Sequence, residues 1–157
     1  MKVFLSHASS PFDIAFASRL RAVALGYEVE LLLPDALHRQ FVTPATKKKI
    51  RDSAAVIALI TADSAQTKAV KLELQEAKAQ SKPIIAFVEH QDLIKGLPPE
   101  QIVVFHRGYR DLGENQLFYV VRNIAATRNQ EELKQTLAAL GLGVLALLAF
   151  GELVKEK

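Results

Sequence analysis

Residues 54–60 read AAVIALI, seven apolar residues in a row between Ser53 and Thr61. An apolar run of this length without polar alternation is typical of a strand that is buried on both faces. Strands of this kind occur in parallel sheets that helices cover on both sides. We therefore expect a central strand here, and the fold depends on what lies on either side of it.

Four further segments predict strands, and segments with helical periodicity separate them. The other predicted strands are Val3–Leu5, Tyr27–Leu33, Pro83–Val88 and Ile102–Phe105. The predicted helices run from Ser10 to Gly26, from Thr43 to near Asp52, over about 67–80, and from Asp111 to about Arg128. Strands that alternate with helices predict an α/β fold: a three-layer, flavodoxin-like, parallel five-stranded sheet. We expect the strand order 2-1-3-4-5.

The composition fits one domain with an appendage. The chain has 157 residues, no cysteine and a formal net charge of +3. The lack of cysteine excludes disulfides and thiolate metal sites, and no signal peptide precedes the first strand, so we expect a cytoplasmic protein. The mildly basic charge is not that of a dedicated nucleic-acid-binding protein. The four histidines are too scattered to predict a metal site.

A ligand crevice is expected where the strand order reverses. In open parallel sheets, ligands bind beyond the carboxyl ends of the strands at that point, here between the first and third strands. The loops 6–9 (SHAS) and 61–64 (TADS) would line the crevice. Glu73 follows in the second turn of the next helix and borders its buried face. Both the loops and Glu73 are therefore candidates for a site.

The sequence leaves two interpretations of Glu73 open. It can be a site carboxylate at the rim of the crevice, or a helix-surface carboxylate paired with Lys68 or Lys78. Glu76, three residues later, is expected to lie nearer to solvent.

Four segments in order resemble a TIR (Toll/interleukin-1 receptor) domain of the prokaryotic type, over Lys2 to about Arg128. They are KVFLSHASS (2–10), LRAVALGYEVELLLPD (20–35), IRDSAAVIALITADS (50–64) and SAQTKAVKLELQEAKAQSKPIIAFVE (64–89). The third segment is similar to the family pattern through its third strand. The fourth contains the Glu-Leu pair of the third helix. Each segment alone matches the family pattern only loosely, but all four in the family's order form a fairly specific match.

The resemblance implies an enzyme that cleaves NAD⁺. In enzymatic members the glutamate of the Glu-Leu pair is essential, and here that position is Glu73. A carboxylate near the ribose can stabilise an oxocarbenium-like centre when the nicotinamide–ribose bond breaks, as in glycosidases. NAD⁺ is then a substrate, and neither a cofactor nor a metal is expected.

The resemblance also implies a set of NAD⁺-contacting residues. They are Ser6, His7, Ala8, Ser9, Asp35, Arg39, Phe41, Asp63, Ser64 and Ala69. Ala69 lies where the family often has a stacking tryptophan. Residues 34–43 correspond to the family's BB loop, which shapes the pocket and often builds filaments, so we expect a homo-oligomer.

The C-terminal segment differs in character from the rest. Residues 137–151 read LAALGLGVLALLAFG and contain no polar side chain. As a helix they would span about 22 Å, short of the ~30 Å hydrocarbon core of a bilayer. We divide the chain into a TIR-like domain, 1–128, and a helical hydrophobic extension, 129–157. The extension can contact a membrane, pack between subunits as an oligomerisation helix, or fold back on its own domain.

The resemblance therefore favours a TIR-domain NAD⁺ hydrolase or cyclase in prokaryotic defence or signalling, activated by self-assembly. One alternative is a non-catalytic TIR scaffold that signals through homotypic association. Another is an enzyme like the nucleoside deoxyribosyltransferases, which share the sheet and also use a glutamate. That family usually has a glycine-rich run before the glutamate, and AQTKAVKLE (65–73) contains none.

Overall fold

The computed structural model describes residues 1–35, 41–62, 68–98, 101–105, 110–127, 129 and 131–139. Its strands are β1 (Lys2–Ser6), β2 (Glu30–Leu32), β3 (Ala55–Ile60), β4 (Ile84–Val88) and β5 (Ile102–Val104). Its helices are α1 (Pro11–Leu25), α2 (Pro44–Asp52), α3 (Lys68–Ala79) and α4 (Arg110–Ala126), with a 3₁₀ turn at Gln91–Leu93. Residues 131–139 are also helical.

The strands form one parallel sheet in the order β2-β1-β3-β4-β5. The predicted strand order is therefore confirmed, together with the three-layer, flavodoxin-like α/β fold. All six residues of β3 are buried, as the apolar run predicts for a strand between two helical layers. The register pairs Val3 of β1 with Ala55 of β3, and Ile57 with Ile85 of β4.

Alternate residues of each strand enter two separate cores, because successive side chains point to opposite faces of the sheet. On one face Leu5 and Ile57 pack with residues of α1 and α4, including Leu20 and Ile124. On the other face the core joins the sheet to α2 and α3 and contains Phe4, Val56, Ala58, Ile50, Val70, Leu74 and Ala77. The carboxyl ends of β1 and β3 therefore lie between α1 on one side and α3 on the other.

Two helices begin at the predicted residues. Ser10 caps α1 by accepting a hydrogen bond from the Asp13 backbone N–H at 3.1 Å, with Pro11 in the first turn. Thr43 caps α2 in the same way, accepting from the Thr46 N–H at 3.0 Å. A side-chain acceptor followed by proline satisfies one orphan N–H and fixes the first helical φ.

The predicted second strand, 27–33, is too long. The chain turns through residues 26–28 after α1, and Glu28 has a φ of 59°. Such a left-handed residue cannot belong to a strand, so pairing with β1 begins at Glu30. Gly26 follows the last residue of α1 as predicted, but its φ is −64°, so the helix does not end in a left-handed glycine cap.

The described beginning of the C-terminal extension packs on the domain. Asn129 caps the helix at 131–139 by accepting from the Glu132 N–H at 2.9 Å. Leu133 and Leu137, one turn apart, are buried in the core of α1 and α4. The rest of the predicted apolar segment, from residue 140, lies outside the described residues. Within the described ranges, no helix combines the length and the hydrophobicity needed to cross a membrane.

Candidate active site at the carboxyl ends of the strands

Glu73 lies at the carboxyl end of β1. Its side chain is 3% exposed, and its Oε2 accepts a hydrogen bond of 2.5 Å from the Oγ of Ser6, the last residue of β1. Because the carboxylate is buried, its interpretation as a helix-surface group is wrong. Two residues that are distant in sequence and were assigned separately to the expected crevice are therefore in direct contact.

The apolar pattern of α3 places Glu73 on this flank of the helix. Val70, Leu74 and Ala77 face the sheet and hold the helix against it. Glu73 precedes Leu74 by one residue, which rotates it about 100° toward β1. Ala69, one turn earlier on the same flank, is buried as well.

The loop after β1 is partly built into the core. His7 and Ala8 are buried, whereas Ser9 is exposed. The Nδ1 of His7 lies 2.7 Å from the carbonyl oxygen of Ala8. A carbonyl can only accept, so Nδ1 carries the proton in this contact, which orients the ring. Of the predicted residues 6–9, Ser6 is the one whose contact with Glu73 the structure shows.

Asp13 is a second buried carboxylate at this edge, and the sequence pattern did not predict it as a site residue. Asp13 and Thr61 are both 0% exposed, and the Thr61 Oγ1 donates to Asp13 Oδ1 at 3.1 Å. Asp13 lies three residues after Ser10, a position typical of a helix cap, and its backbone N–H does donate to the capping Ser10 Oγ. Its side chain joins the start of α1 to the end of β3, and α1 packs on the face of the sheet opposite to α3.

A third carboxylate, Glu89, follows β4. It is 9% exposed, and its Oε2 accepts from the Ala62 backbone N–H at 2.7 Å. This contact holds the start of the loop after β3. Three carboxyl groups with little solvent exposure, from α1, α3 and the segment after β4, thus lie at the carboxyl-terminal edge of the sheet. Among the described residues, no group of three or more histidines and carboxylates is arranged to hold a metal ion.

The structure separates two other predicted NAD⁺-contacting residues from Glu73. Phe41 is 59% exposed and lines a groove on the outer side of α3, with Leu72 and Glu76. Asp35 forms hydrogen bonds with residues of α2 and its cap, described below. Arg39, Asp63 and Ser64 lie outside the described residues, as do the other residues of 36–40 in the loop 34–43.

Asp35 connects the end of the β2 segment to α2. Its carboxylate accepts from Thr43 Oγ1 at 2.7 Å and from Lys49 Nζ at 2.8 Å. The hydrogen bond from Lys49, followed by the one from Thr43, holds the pKa of Asp35 below its ordinary value. Lys49 also donates to the carbonyl oxygen of Leu33 at 2.9 Å.

Asp35→Asn is expected to lower the free energy of unfolding at neutral pH, by less than about 1 kcal/mol because the ion pair is more than one-third exposed. A carboxylate whose folded-state pKa is lowered stabilises the protein fully above the ordinary aspartate pKa of about 3.9. That stabilisation is lost as the pH falls through the lowered pKa. Urea titrations of both proteins from pH 7 downward test this expectation. A difference between them that grows below pH 4 would contradict it.

Comparison with known proteins finds a similarity of fold and no match by sequence. No protein-family model and no curated protein matches the sequence. Among solved structures, the chain is similar to a 2-deoxyribosyltransferase from the psychrotolerant bacterium Bacillus psychrosaccharolyticus. The TM-score is 0.51 at 13% identity, over 72% of this chain and 90% of that chain. This similarity shows a shared α/β fold, and the resemblance to TIR domains stays a prediction.

Proposed function

We propose that this protein cleaves N-glycosidic bonds, with NAD⁺ as substrate and Glu73 as the catalytic carboxylate. The observation that carries the proposal is the hydrogen bond between Ser6 and the buried Glu73, at the carboxyl end of β1. In a sheet of this order, that edge is where ligands bind, because the chain leaves β1 and β3 in opposite directions.

The chemistry follows from a fixed negative charge beside a ribose. When the bond between ribose C1′ and the nicotinamide nitrogen breaks, its electron pair goes to the nitrogen and neutralises the pyridinium ring. Positive charge then develops at C1′, and the Glu73 carboxylate stabilises it. Water adds to C1′ and releases a proton, which gives ADP-ribose and nicotinamide. The Ser6 hydroxyl holds the carboxylate in place, so little reorganisation is needed in the transition state.

Two independent similarities support this substrate class. The resemblance of four segments to TIR domains implies that Glu73 corresponds to the family's essential glutamate. The structural neighbour is described as a biocatalyst for the synthesis of nucleosides, whose sugars and bases are joined by N-glycosidic bonds. We extend the proposal to a prokaryotic TIR-type defence or signalling effector in the cytoplasm.

Self-assembly belongs to the same proposal. At 3% exposure the Glu73 carboxylate is closed to solvent, so a substrate reaches it only when neighbouring groups shift. Contacts between subunits through the loop 34–43 would supply the energy for that shift. We include the C-terminal extension as a second subunit contact or a membrane contact.

Two other functions are each favoured by one observation. Transfer of a 2-deoxyribosyl group between bases is favoured by the fold of the structural neighbour. A non-catalytic scaffold is favoured by Ala69, which provides no ring for stacking on nicotinamide.

Product analysis by mass spectrometry separates these functions. The protein is incubated with NAD⁺, and separately with 2′-deoxyinosine plus adenine, each at several protein concentrations with and without a crowding agent. We expect nicotinamide with ADP-ribose or its cyclic form from NAD⁺. Deoxyadenosine in the second reaction without nicotinamide in the first would replace the proposal with deoxyribosyl transfer. Unchanged substrates, together with concentration-dependent oligomers in light scattering, would replace it with the scaffold.

A further inference from the structure

A cavity of about 500 Å³ lies beside α3, between this helix and the segment 92–97, which begins within the 3₁₀ turn. It is separate from the Glu73 site. Lys71 and Lys78 face the cavity from one flank of α3, whereas Glu73 lies on the opposite flank against β1. The helix therefore forms a wall of both sites.

The cavity combines an apolar lining with a cationic rim. The apolar lining consists of Ile60, Val70 and Leu74 on one side and of Leu93, Ile94 and Leu97 in the outer wall. Three lysines, Lys71, Lys78 and Lys95, stand at the rim with one carboxylate, Asp92. The rim thus has an excess of two positive charges above a surface of hydrocarbon.

The outer wall of the cavity is held in place. Lys78 Nζ donates to the carbonyl oxygen of Gly96 at 2.6 Å, which ties the segment to α3. Gly96 has a φ of 81°, a conformation that favours glycine and sets the course of the turn. Leu93 and Ile94 pack against the core between the sheet and α3. The cavity is therefore formed without a ligand, so binding does not have to order this wall.

We propose that this cavity binds a small organic anion, in which one phosphate or carboxylate group is attached to an apolar body. Its volume lies within the range of about 300–1,000 Å³ that is common for small-molecule sites. Ammonium groups bind both anionic groups as point charges. An inorganic anion alone would leave the apolar lining in contact with water, and a neutral apolar molecule would not use the lysines.

This site is independent of NAD⁺ cleavage and does not require Glu73 to be catalytic. Titration of the full-length protein with phenyl phosphate and with octanoate tests it, by calorimetry and by amide shifts in ¹⁵N NMR. Inorganic phosphate serves as the probe of charge alone. We expect saturable binding of one molecule of either organic anion, with shifts in α3 and in 92–98, and at least tenfold weaker binding of inorganic phosphate.

Two variants locate the binding. The double substitution Lys71→Gln with Lys95→Gln removes two rim charges and is expected to weaken binding about tenfold. Lys48→Gln, on the exposed side of α2 away from the cavity, removes a matched charge and is expected to leave binding unchanged. Benzoate, which shares the phenyl body of phenyl phosphate, is titrated in the same way, and the relative affinities of these two anions show whether the site selects phosphate or carboxylate.

The proposal would be overturned by a lack of saturable binding of either organic anion or by binding no stronger than that of inorganic phosphate. Equal weakening by the double substitution and by Lys48→Gln would overturn it too. Amide shifts confined to residues outside α3 and 92–98 would also overturn it, because the anion would then occupy another surface.

Discussion

Glu73→Gln is expected to abolish nicotinamide release from NAD⁺, lowering kcat by about a thousandfold or more. The substitution keeps the shape of the side chain and removes the charge that stabilises the oxocarbenium-like centre. The amide oxygen of glutamine can still accept the hydrogen bond that Ser6 Oγ donates to Glu73 Oε2. We therefore expect the variant to be folded, which its melting temperature, measured by circular dichroism, tests. Mass spectrometry measures nicotinamide release.

Glu76→Gln is the matched control on the same helix. Glu76 is partly exposed, accepts from Gln80 Nε2 at 2.7 Å and lies 3.4 Å from Lys47 Nζ. These contacts, led by the hydrogen bond from Gln80, hold the pKa of Glu76 below its ordinary value, but they lie away from the crevice. We expect wild-type turnover from this variant. Equal turnover by wild type and Glu73→Gln would show that Glu73 is not catalytic.

Phe87→Ala is expected to cost about 3–5 kcal/mol of unfolding free energy. Phe87 is 1% exposed in β4, between β3 and β5, and packs in the core on the α1 and α4 face. Truncation removes the hydrophobic transfer energy of the ring and leaves a cavity that the surrounding strands cannot fill. Since single domains are stable by about 5–15 kcal/mol, a large part of the stability is lost. Urea unfolding followed by circular dichroism measures the change.

Phe41→Ala removes the same ring at an exposed position. Phe41 is 59% exposed, so we expect a change in unfolding free energy within about 0.5 kcal/mol. A loss at Phe87 that is no larger than the loss at Phe41 would contradict the assignment of β4 to the centre of the core. The two variants carry the same substitution of phenylalanine by alanine and differ in how deeply the ring is buried.

The sheet could be predicted from the sequence because its strands are marked locally. The apolar run at 54–60 is long enough to identify β3, and the caps Ser10 and Thr43 mark the starts of two helices. The length of β2 could not be predicted in this way. Tyr27 and Val29 have strand propensity, but the turn after α1 places Glu28 at a positive φ, which depends on how the helix joins the sheet.

The candidate site could be predicted in part. Glu73 was found because its helix follows β3, and strand order then places it beside the first loop. The contacts of Asp13 with Thr61 and of Glu89 with Ala62 were missed. In each pair the two residues belong to elements far apart in sequence, and each has an ordinary local explanation as a cap or loop residue. Sequence patterns report the local role, whereas these side chains act across the sheet.

The edges of the sheet restrict how copies of this protein can associate. The two outer strands, β2 and β5, have three residues each, and Pro34, which has no backbone N–H, lies just beyond β2. A strand from another copy could form only a few backbone hydrogen bonds with β2 or β5. These are too few for a continuous intermolecular sheet. Filaments of this protein are therefore expected to join through helix faces and loops, and to lack the cross-β diffraction spacing near 4.7 Å.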